Sequence, residues 1–170
     1  AHHFHVHPAN RQDGGGTPGR GGDGAVGDIG AGYGYTTELL ARAVGEGGKV
    51  YGQNTPFVLE KFAQEPWSKR LEKPQMKPVT RLDREFDDPF PDELVGTLDR
   101  VVNVLFYHDF VWMETDRAAH NRDVFAALKP GGLYVVIDHS AAAGAGTPGA
   151  KSLHRIEESV LRAEVEAAGF

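Results

Sequence analysis

The sequence contains no cysteine. Disulfide bonds, thiolate metal sites and a cysteine nucleophile are therefore excluded, although cysteine-free chains occur in every compartment. No apolar run approaches the roughly 18 residues that a membrane helix needs, so no association with a membrane is expected. The chain does not open with a charged and then apolar secretory pattern, and this favours a cytoplasmic location.

Positive charge is also scarce. Lysine and arginine total 18 against 24 acidic residues, which gives a formal net charge of −6. Surfaces that bind nucleic acid carry an excess of positive charge, so nucleic acid is not an expected partner. A neutral or positively charged small molecule suits this balance better. At 170 residues the chain has the length of about one domain.

The first 25 residues differ in composition from the rest. Four of the eight histidines fall within "AHHFHVHPAN", and residues 14–24 contain seven glycines. Such a glycine-rich stretch loses much chain entropy on folding, so residues 1–25 are predicted to be a flexible lead-in without stable helix or strand. A free amino terminus followed by His3 could also chelate copper or nickel. Residues 26–170 are then predicted to form a single α/β domain.

From Ala25 onward, strand-like apolar runs alternate with helical periodicity. The strand runs are "AVGDI", "KVYGQ", "PVTRLD", "LDRVVNVLFY" and "LYVVID", and the helical runs lie at 35–44, 57–72 with a break at Pro66, 115–132 and 152–169. This alternation predicts an α/β fold with a Rossmann-like, doubly wound parallel sheet of about five strands and helices on both faces. Ligands of such sheets bind beyond the carboxyl ends of the strands, near the first strand.

A glycine-rich turn follows the first strand in the pattern Asp28-x-Gly30-x-Gly32-x-Gly34. A dinucleotide fingerprint would need glycine at position 35, where Tyr35 stands, and a phosphate loop would need lysine followed by serine or threonine. Neither pattern is present. The spacing instead resembles the first motif of class I S-adenosylmethionine-dependent methyltransferases, in which an acidic residue is followed by G-x-G-x-G. The alternative is that the glycines only make a tight turn from strand to helix.

Further segments strengthen this resemblance between about Val26 and Phe170. The combination "NVLFYHD", "ALKPGG", "DHS" and "LHRIEESV" resembles a bacterial group described as predicted methyltransferases. The resemblance implies methyl transfer from S-adenosylmethionine to the oxygen or nitrogen of a small molecule. The family's terminal antiparallel hairpin is absent here, which leaves the fifth strand as an exposed edge and predicts a homodimer through that edge.

The resemblance also implies a set of cofactor-binding residues. The glycine loop would pass against the aminocarboxypropyl arm, with Asp28 accepting a hydrogen bond from the cofactor's ammonium group. Asn54 stands where the family places a carboxylate for the ribose hydroxyls, and Asp83 where it recognises the adenine amino group. The complete expected set is Asp28, Gly30, Ala31, Gly32, Gly34, Tyr35, Asn54, Asp83 and Asn103.

Ionisable side chains gather at the ends of the fourth and fifth strands and near the start of the last helix. They are His108, Asp109, Asp138, His139 and His154. In one interpretation a histidine such as His108 or His139 is the general base for the acceptor, and an aspartate fixes its tautomer. In another, Asp109, Asp138 and His139 bind a divalent metal that orients the acceptor. In a third, these residues only hold loops together.

Two alternative functions follow from these interpretations. A hydrolase or another metalloenzyme on the same fold would use the histidine and aspartate cluster. A non-catalytic ligand-binding module is suggested by Asn54, because an amide binds a hydroxyl without the charge assistance of a carboxylate.

Overall fold

A computed structural model describes residues 2–9 and 24–170, and its centre is one six-stranded sheet. The strands are β1 (His2–Pro8), β2 (Ala25–Ile29), β3 (Lys49–Asn54), β4 (Val79–Asp83), β5 (Leu98–Val104) and β6 (Leu128–His139). They lie in the order β1-β6-β5-β2-β3-β4. Strands β2 to β6 are mutually parallel, so the predicted five-stranded parallel sheet is confirmed.

Helices connect the parallel strands and cover both faces of the sheet. They are α1 (Tyr35–Val44), α2 (Pro56–Val58), α3 (Gln64–Leu71), α4 (Asp109–Trp112), α5 (Arg117–Ala127), α6 (Ala150–Leu153) and α7 (Glu158–Glu166). A π-helical turn at Leu59–Ala63 joins α2 to α3. The predicted break at Pro66 is wrong, since this proline lies in the first turn of α3, where a missing N–H is tolerated. Among the described residues, no helix has the length and apolar character needed to cross a membrane.

Strand β1 corrects the predictions for the start of the chain. It runs antiparallel to β6, from His2 opposite His139 to Pro8 opposite Leu133. The composition of residues 1–25 predicted no strand here. The strand forms because it pairs with β6, which is distant in the sequence, and local composition gives no information about such a partner. Because β1 covers the outer side of β6, the exposed edge that predicted a homodimer is occupied within the same chain. The prediction of flexibility for 10–23 lies outside the described residues.

Helix α1 has the predicted bounds, and its buried face includes polar as well as apolar residues. Thr37, Ala41 and Val44 are buried, whereas Leu39 is half exposed. The reason lies in a hydrogen bond of 2.5 Å from the Thr37 hydroxyl to Asp28 Oδ2, which fixes the rotation of the helix over β2.

An aromatic layer lies beneath α5 and contains His120. His120 is fully buried, and its ring nitrogens contact the Phe86 carbonyl oxygen at 2.6 Å and the Tyr134 hydroxyl at 3.1 Å. Burial lowers the pKa of His120 to about 4, although the hydrogen bond with Phe86 opposes this shift. The neutral ring is therefore part of the core.

The last helical run of the sequence is divided in two. Helix α6 ends at Leu153, and His154 follows with a left-handed φ of 50°. Ile156 then forms a short parallel bridge with Ser140, beyond the end of β6, before α7 begins. The predicted continuous helix is wrong because this extended pairing interrupts it. The interruption carries His154 to the carboxyl edge of the sheet.

Candidate functional site

The glycine loop after β2 combines two kinds of glycine. Gly30, Gly32 and Gly34 all have positive φ angles, of 64°, 56° and 80°. A Cβ on Gly30 would lie 2.6 Å from the Phe106 ring, and one on Gly34 would lie 2.2 Å from the Trp67 ring. A Cβ on Gly32 would meet nothing closer than 3.9 Å. The outer two glycines are therefore required by the protein's own packing, and Gly32 leaves open space that a ligand can fill.

Two buried amides at the end of β3 hold this loop in place. Gln53 Oε1 accepts a hydrogen bond from Gly30 N at 3.1 Å, and its Nε2 donates to the Arg84 carbonyl at 2.6 Å. Asn54 Oδ1 accepts from Gly32 N at 2.8 Å, and its Nδ2 donates to the Gly32 carbonyl at 3.1 Å. The Asn54 amide is therefore engaged with the loop at both of its polar atoms, where the sequence suggested a ribose contact.

The N-terminus of α1 faces the same loop. No side chain caps this ten-residue helix, and its first residue, Tyr35, is 67% exposed. Arg70 Nε donates to the Tyr33 carbonyl at 2.6 Å, which connects the loop to α3. Uncapped backbone N–H groups at a helix N-terminus attract carboxylate or phosphate groups. This end of the loop therefore suits the carboxylate of an amino-acid ligand.

Asp28 lies beneath the loop, not on its surface. It is 1% exposed, and burial raises its pKa to about 7, although the bond from Thr37 opposes the shift. Asp28 thus anchors α1 to β2.

The two remaining cofactor candidates are placed differently. Asp83 ends β4 and is paired with Arg81 through contacts of 2.6 and 2.8 Å. Asn103 is fully buried near the end of β5, where neither polar atom of its side chain makes a hydrogen bond of ordinary geometry and the neighbouring polar group is the Tyr134 hydroxyl. Asp83 is thus engaged by Arg81 but partly exposed, whereas Asn103 is closed off from solvent.

The histidine and aspartate cluster is assembled around His108. Its backbone N–H donates to Asp138 Oδ2 at 2.8 Å, and its ring Nδ1 lies 2.7 Å from Asp138 Oδ1. Both side chains are 3% exposed. His139 joins through its backbone N–H, which donates to Asp138 Oδ1 at 2.7 Å. Asp138 therefore fixes both the position and the tautomer of the His108 ring.

The other nitrogen of His108 faces two further members of the cluster. His108 Nε2 lies 3.2 Å from His154 Nδ1 and 3.2 Å from Asp109 Oδ1. Asp109 Oδ1 also accepts a hydrogen bond of 2.7 Å from Trp112 Nε1 and lies 3.8 Å from His154 Nδ1. The His154 side chain is 64% exposed, so the cluster is buried at His108 and reachable from solvent at His154.

These contacts set the charge of the cluster. Burial alone would lower the pKa of His108, but hydrogen bonds with Asp109 and Asp138 outweigh it and raise this pKa to about 9. For Asp109 the directions are reversed. Burial alone would raise its pKa, but the hydrogen bonds from His108 and Trp112 outweigh burial and lower this pKa. His108 is therefore an imidazolium between two carboxylates at neutral pH.

The structure thus brings together four of the five predicted side chains: His108, Asp109, Asp138 and His154. The metal set suggested by the sequence is not assembled, because Asp138 lies on the Nδ1 side of His108, away from Asp109. Among the described residues, the ligand atoms that gather within 4.8 Å belong to His108, Asp109 and His154. From the sequence, Trp112 is expected either to line an acceptor pocket or only to pack; its contact with Asp109, three residues earlier on a helical turn, is not part of that expectation.

A cavity of about 390 Å³ lies beside the cluster and shares Trp112 with it. Among the described residues, its lining combines aromatic or apolar side chains with three carboxylates and contains no lysine, arginine or histidine: Thr55, Phe57, Glu85, Phe86, Asp87, Trp112, Met113, Glu114 and Thr115. Its volume is in the range of small-molecule sites.

Strained backbone surrounds the same region. The described non-glycine residues with positive φ are Leu105, Glu114 and His154. Leu105 ends the β5 segment before His108, Glu114 lines the cavity, and His154 belongs to the cluster. Such conformations gather at functional sites because the surrounding structure must enforce them.

Comparisons with solved structures agree with this architecture. A S-adenosylmethionine-dependent methyltransferase from Aquifex aeolicus superimposes with a TM-score of 0.69 at 21% identity, over 89% of this chain and 74% of that one. A protein from Galdieria sulphuraria assigned as a sarcosine dimethylglycine methyltransferase gives 0.67 at 17% identity, over 88% and 55%. The [4+2]-cyclase SpnF gives 0.64 at 18% identity, over 87% and 52%.

The chain therefore spans about three quarters of the first of these structures and about half of the other two. No protein-family model and no curated protein matches the sequence. At these identities the likeness concerns the fold, which is that of the class I S-adenosylmethionine-dependent methyltransferases.

Proposed function

Because the chain has the class I methyltransferase fold, we propose that it transfers a methyl group from S-adenosylmethionine to the oxygen or nitrogen of a small molecule. The observation that carries this proposal is Gly32, a left-handed residue whose Cβ direction is open at the carboxyl edge of the sheet. The fold by itself is insufficient, since the SpnF structure shares it and is named as a cyclase.

The cofactor-binding part of the proposal is assigned to the loop and the start of α1. Gly32 would let the loop backbone lie against the aminocarboxypropyl arm. The uncapped N–H groups at the start of α1 would bind its carboxylate. Bound S-adenosylmethionine would supply an electrophilic methyl group for in-line displacement. Asn54 acts here by holding Gly32, and this explains how an amide serves where relatives use a carboxylate.

The acceptor is assigned to the cavity that shares Trp112 with the cluster. Its three carboxylates favour a neutral or cationic molecule, and the lining residues that the structure describes include no basic side chain. The exposed His154 imidazole would take the acceptor's proton, and the buried pair of His108 and Asp138 holds that imidazole in place. Alignment of the acceptor with the methyl group would provide most of the rate enhancement.

Calorimetric titration of the full chain with S-adenosylmethionine and its demethylated product tests the cofactor assignment. We expect both to bind to the wild-type protein and to Gly96→Ala, and neither to bind to Gly32→Ala. Gly96 is the control because its φ of 66° is also positive and its Cβ would meet nothing within 4 Å. Absence of binding at millimolar concentration, or equal binding by Gly32→Ala, would refute the assignment.

Turnover is tested separately by following formation of the demethylated product with a panel of amines, phenols and carboxylic acids. The proposal predicts methylation of at least one neutral or cationic acceptor, and loss of this methylation in His154→Ala with cofactor binding intact. Binding of cofactor without any turnover would identify a ligand-binding module instead.

A further inference from the structure

Three side chains of the cluster place their ligand atoms at the corners of a small triangle. His108 Nε2, His154 Nδ1 and Asp109 Oδ1 are separated by 3.2, 3.2 and 3.8 Å. The point equidistant from these three atoms lies about 2.0 Å from each, which is the length of a zinc–nitrogen or zinc–oxygen bond. The triangle therefore has the dimensions of one face of a metal coordination sphere.

The buried partner of His108 strengthens this geometry. Asp138 Oδ1 lies 2.7 Å from His108 Nδ1, and this contact keeps a proton on Nδ1, which leaves the lone pair of the ring on Nε2 once that nitrogen is deprotonated. Histidines that bind metals almost always donate their second ring N–H to a carboxylate or carbonyl, as His108 Nδ1 can to Asp138. Trp112 Nε1 similarly orients Asp109 by donating to the ligand oxygen itself.

The third ligand keeps the site open. His154 is 64% exposed and has a left-handed backbone, fixed between α6 and the bridge from Ile156 to Ser140. A local conformation of this kind costs free energy and persists only where neighbouring structure enforces it. The exposed side of the triangle leaves at least one coordination position for water or another ligand.

We propose that His108 Nε2, Asp109 Oδ1 and His154 Nδ1 bind a divalent transition-metal ion, with Asp138 positioning His108. Two imidazoles and one carboxylate suit zinc, cobalt, nickel, iron or manganese better than magnesium or calcium, which take oxygen ligands. The ion takes the place of the proton on His108 Nε2, so metal binding releases protons. This site needs no S-adenosylmethionine, but it uses His154, so while the ion is bound this imidazole cannot take the acceptor's proton as the methyl-transfer proposal assigns.

Titration with Co²⁺ alone tests the site. The visible absorption spectrum of Co²⁺ depends on its coordination geometry, so the spectrum reports binding to the protein. The background is the full chain with His2, His3, His5 and His7 replaced by glutamine, which removes competing imidazoles near the start of the sequence. We expect one Co²⁺ per chain in this background. In the same background, Asp109→Asn and His154→Ala should weaken binding at least tenfold, as loss of a metal ligand does.

Asp92→Asn is the matched control, because Asp92 is an exposed aspartate outside the cluster, and it should bind Co²⁺ as tightly as the background. Thermal unfolding of each variant checks that the fold is retained, and His154 is exposed enough for its removal to leave the core intact. Equal Co²⁺ affinity in the background and in either cluster variant would overturn the proposal, as would loss of all binding with the four early histidines. Titration of the same samples with the demethylated cofactor reports the methyl-transfer proposal separately.

Discussion

Asn54 holds Gly32 through both ends of its side-chain amide, accepting from the Gly32 N–H at 2.8 Å and donating to the Gly32 carbonyl at 3.1 Å. An aspartate in the same place could make only the first of these contacts, and its second oxygen would face the Gly32 carbonyl oxygen. The asparagine at the end of β3 is therefore matched to the backbone it contacts.

The first prediction follows for Asn54→Asp. If the residue at position 54 contacted the ribose, the aspartate carboxylate would strengthen cofactor binding. Because Asn54 contacts the loop instead, the aspartate should weaken cofactor binding. We expect the affinity for the demethylated cofactor to fall about tenfold, and the free energy of unfolding to fall by about 1–3 kcal/mol, because a buried carbonyl loses its donor. Calorimetry and urea denaturation measure the two effects. Tighter binding in the variant would contradict the assignment of Asn54 to the loop.

A second prediction separates the glycines of the loop. Gly34→Ala should lower the free energy of unfolding by about 3 kcal/mol, since it adds contact with the buried Trp67 to the strain of a left-handed alanine. Gly96→Ala has a positive φ of 66° and no neighbour within 4 Å of the added Cβ, so it carries the strain alone and should lose only about 1–2 kcal/mol. Urea denaturation of both variants measures the two free energies of unfolding. Equal losses of free energy would show that Trp67 can move aside without destabilising the fold.

A third prediction concerns the pH dependence that His108 contributes. Because the pKa of His108 is about 9 in the folded protein and 6.5 is its ordinary value, its stabilising contribution is complete below pH 6.5 and is lost as the pH rises through 9. Asp138→Asn removes one of the two carboxylates, so the pKa of His108 should fall and the loss should be complete at a lower pH. NMR titration of the His108 ring measures its pKa, and urea denaturation at several pH values measures the effect on stability. An unchanged titration midpoint in Asp138→Asn would show that Asp138 has no such role.

A fourth prediction concerns His120, whose pKa moves in the opposite direction. With a folded pKa of about 4 against an ordinary 6.5, the neutral ring stabilises the fold above pH 6.5, and this contribution is lost as the pH falls toward 4. His120→Ala should lower the free energy of unfolding at pH 7 by about 2–4 kcal/mol, through a cavity and two lost contacts. The difference in stability between wild type and variant should shrink on acidification, and a constant difference would exclude titration of His120.

Local patterns predicted those parts of the fold that local physics controls. The bounds of α1 and the five parallel strands follow from hydrophobic periodicity and turn residues near each element. The convergence of His108 and Asp138 follows from their places at the ends of adjacent parallel strands. Topology brings such residues together without any detail of side-chain packing.

The remaining features depend on contacts between distant parts of the chain. His154 reaches the cluster because Ile156 pairs with Ser140, and helical periodicity in "LHRIEESV" gives no sign of that bridge. His120 lies in the core because Phe86 and Tyr134 supply partners for both of its ring nitrogens. The burial of a polar residue depends on such partners, which the sequence does not place.

The pairing of β1 with β6 has a consequence for the order in which the molecule folds. His2 lies opposite His139, so the edge of the sheet joins segments that are far apart in the chain. During synthesis β1 is made well before its partner strand, and closing such a long loop is entropically slow. The edge therefore forms last, after the parallel strands have assembled, and until then the outer side of β6 is open to pairing with other chains.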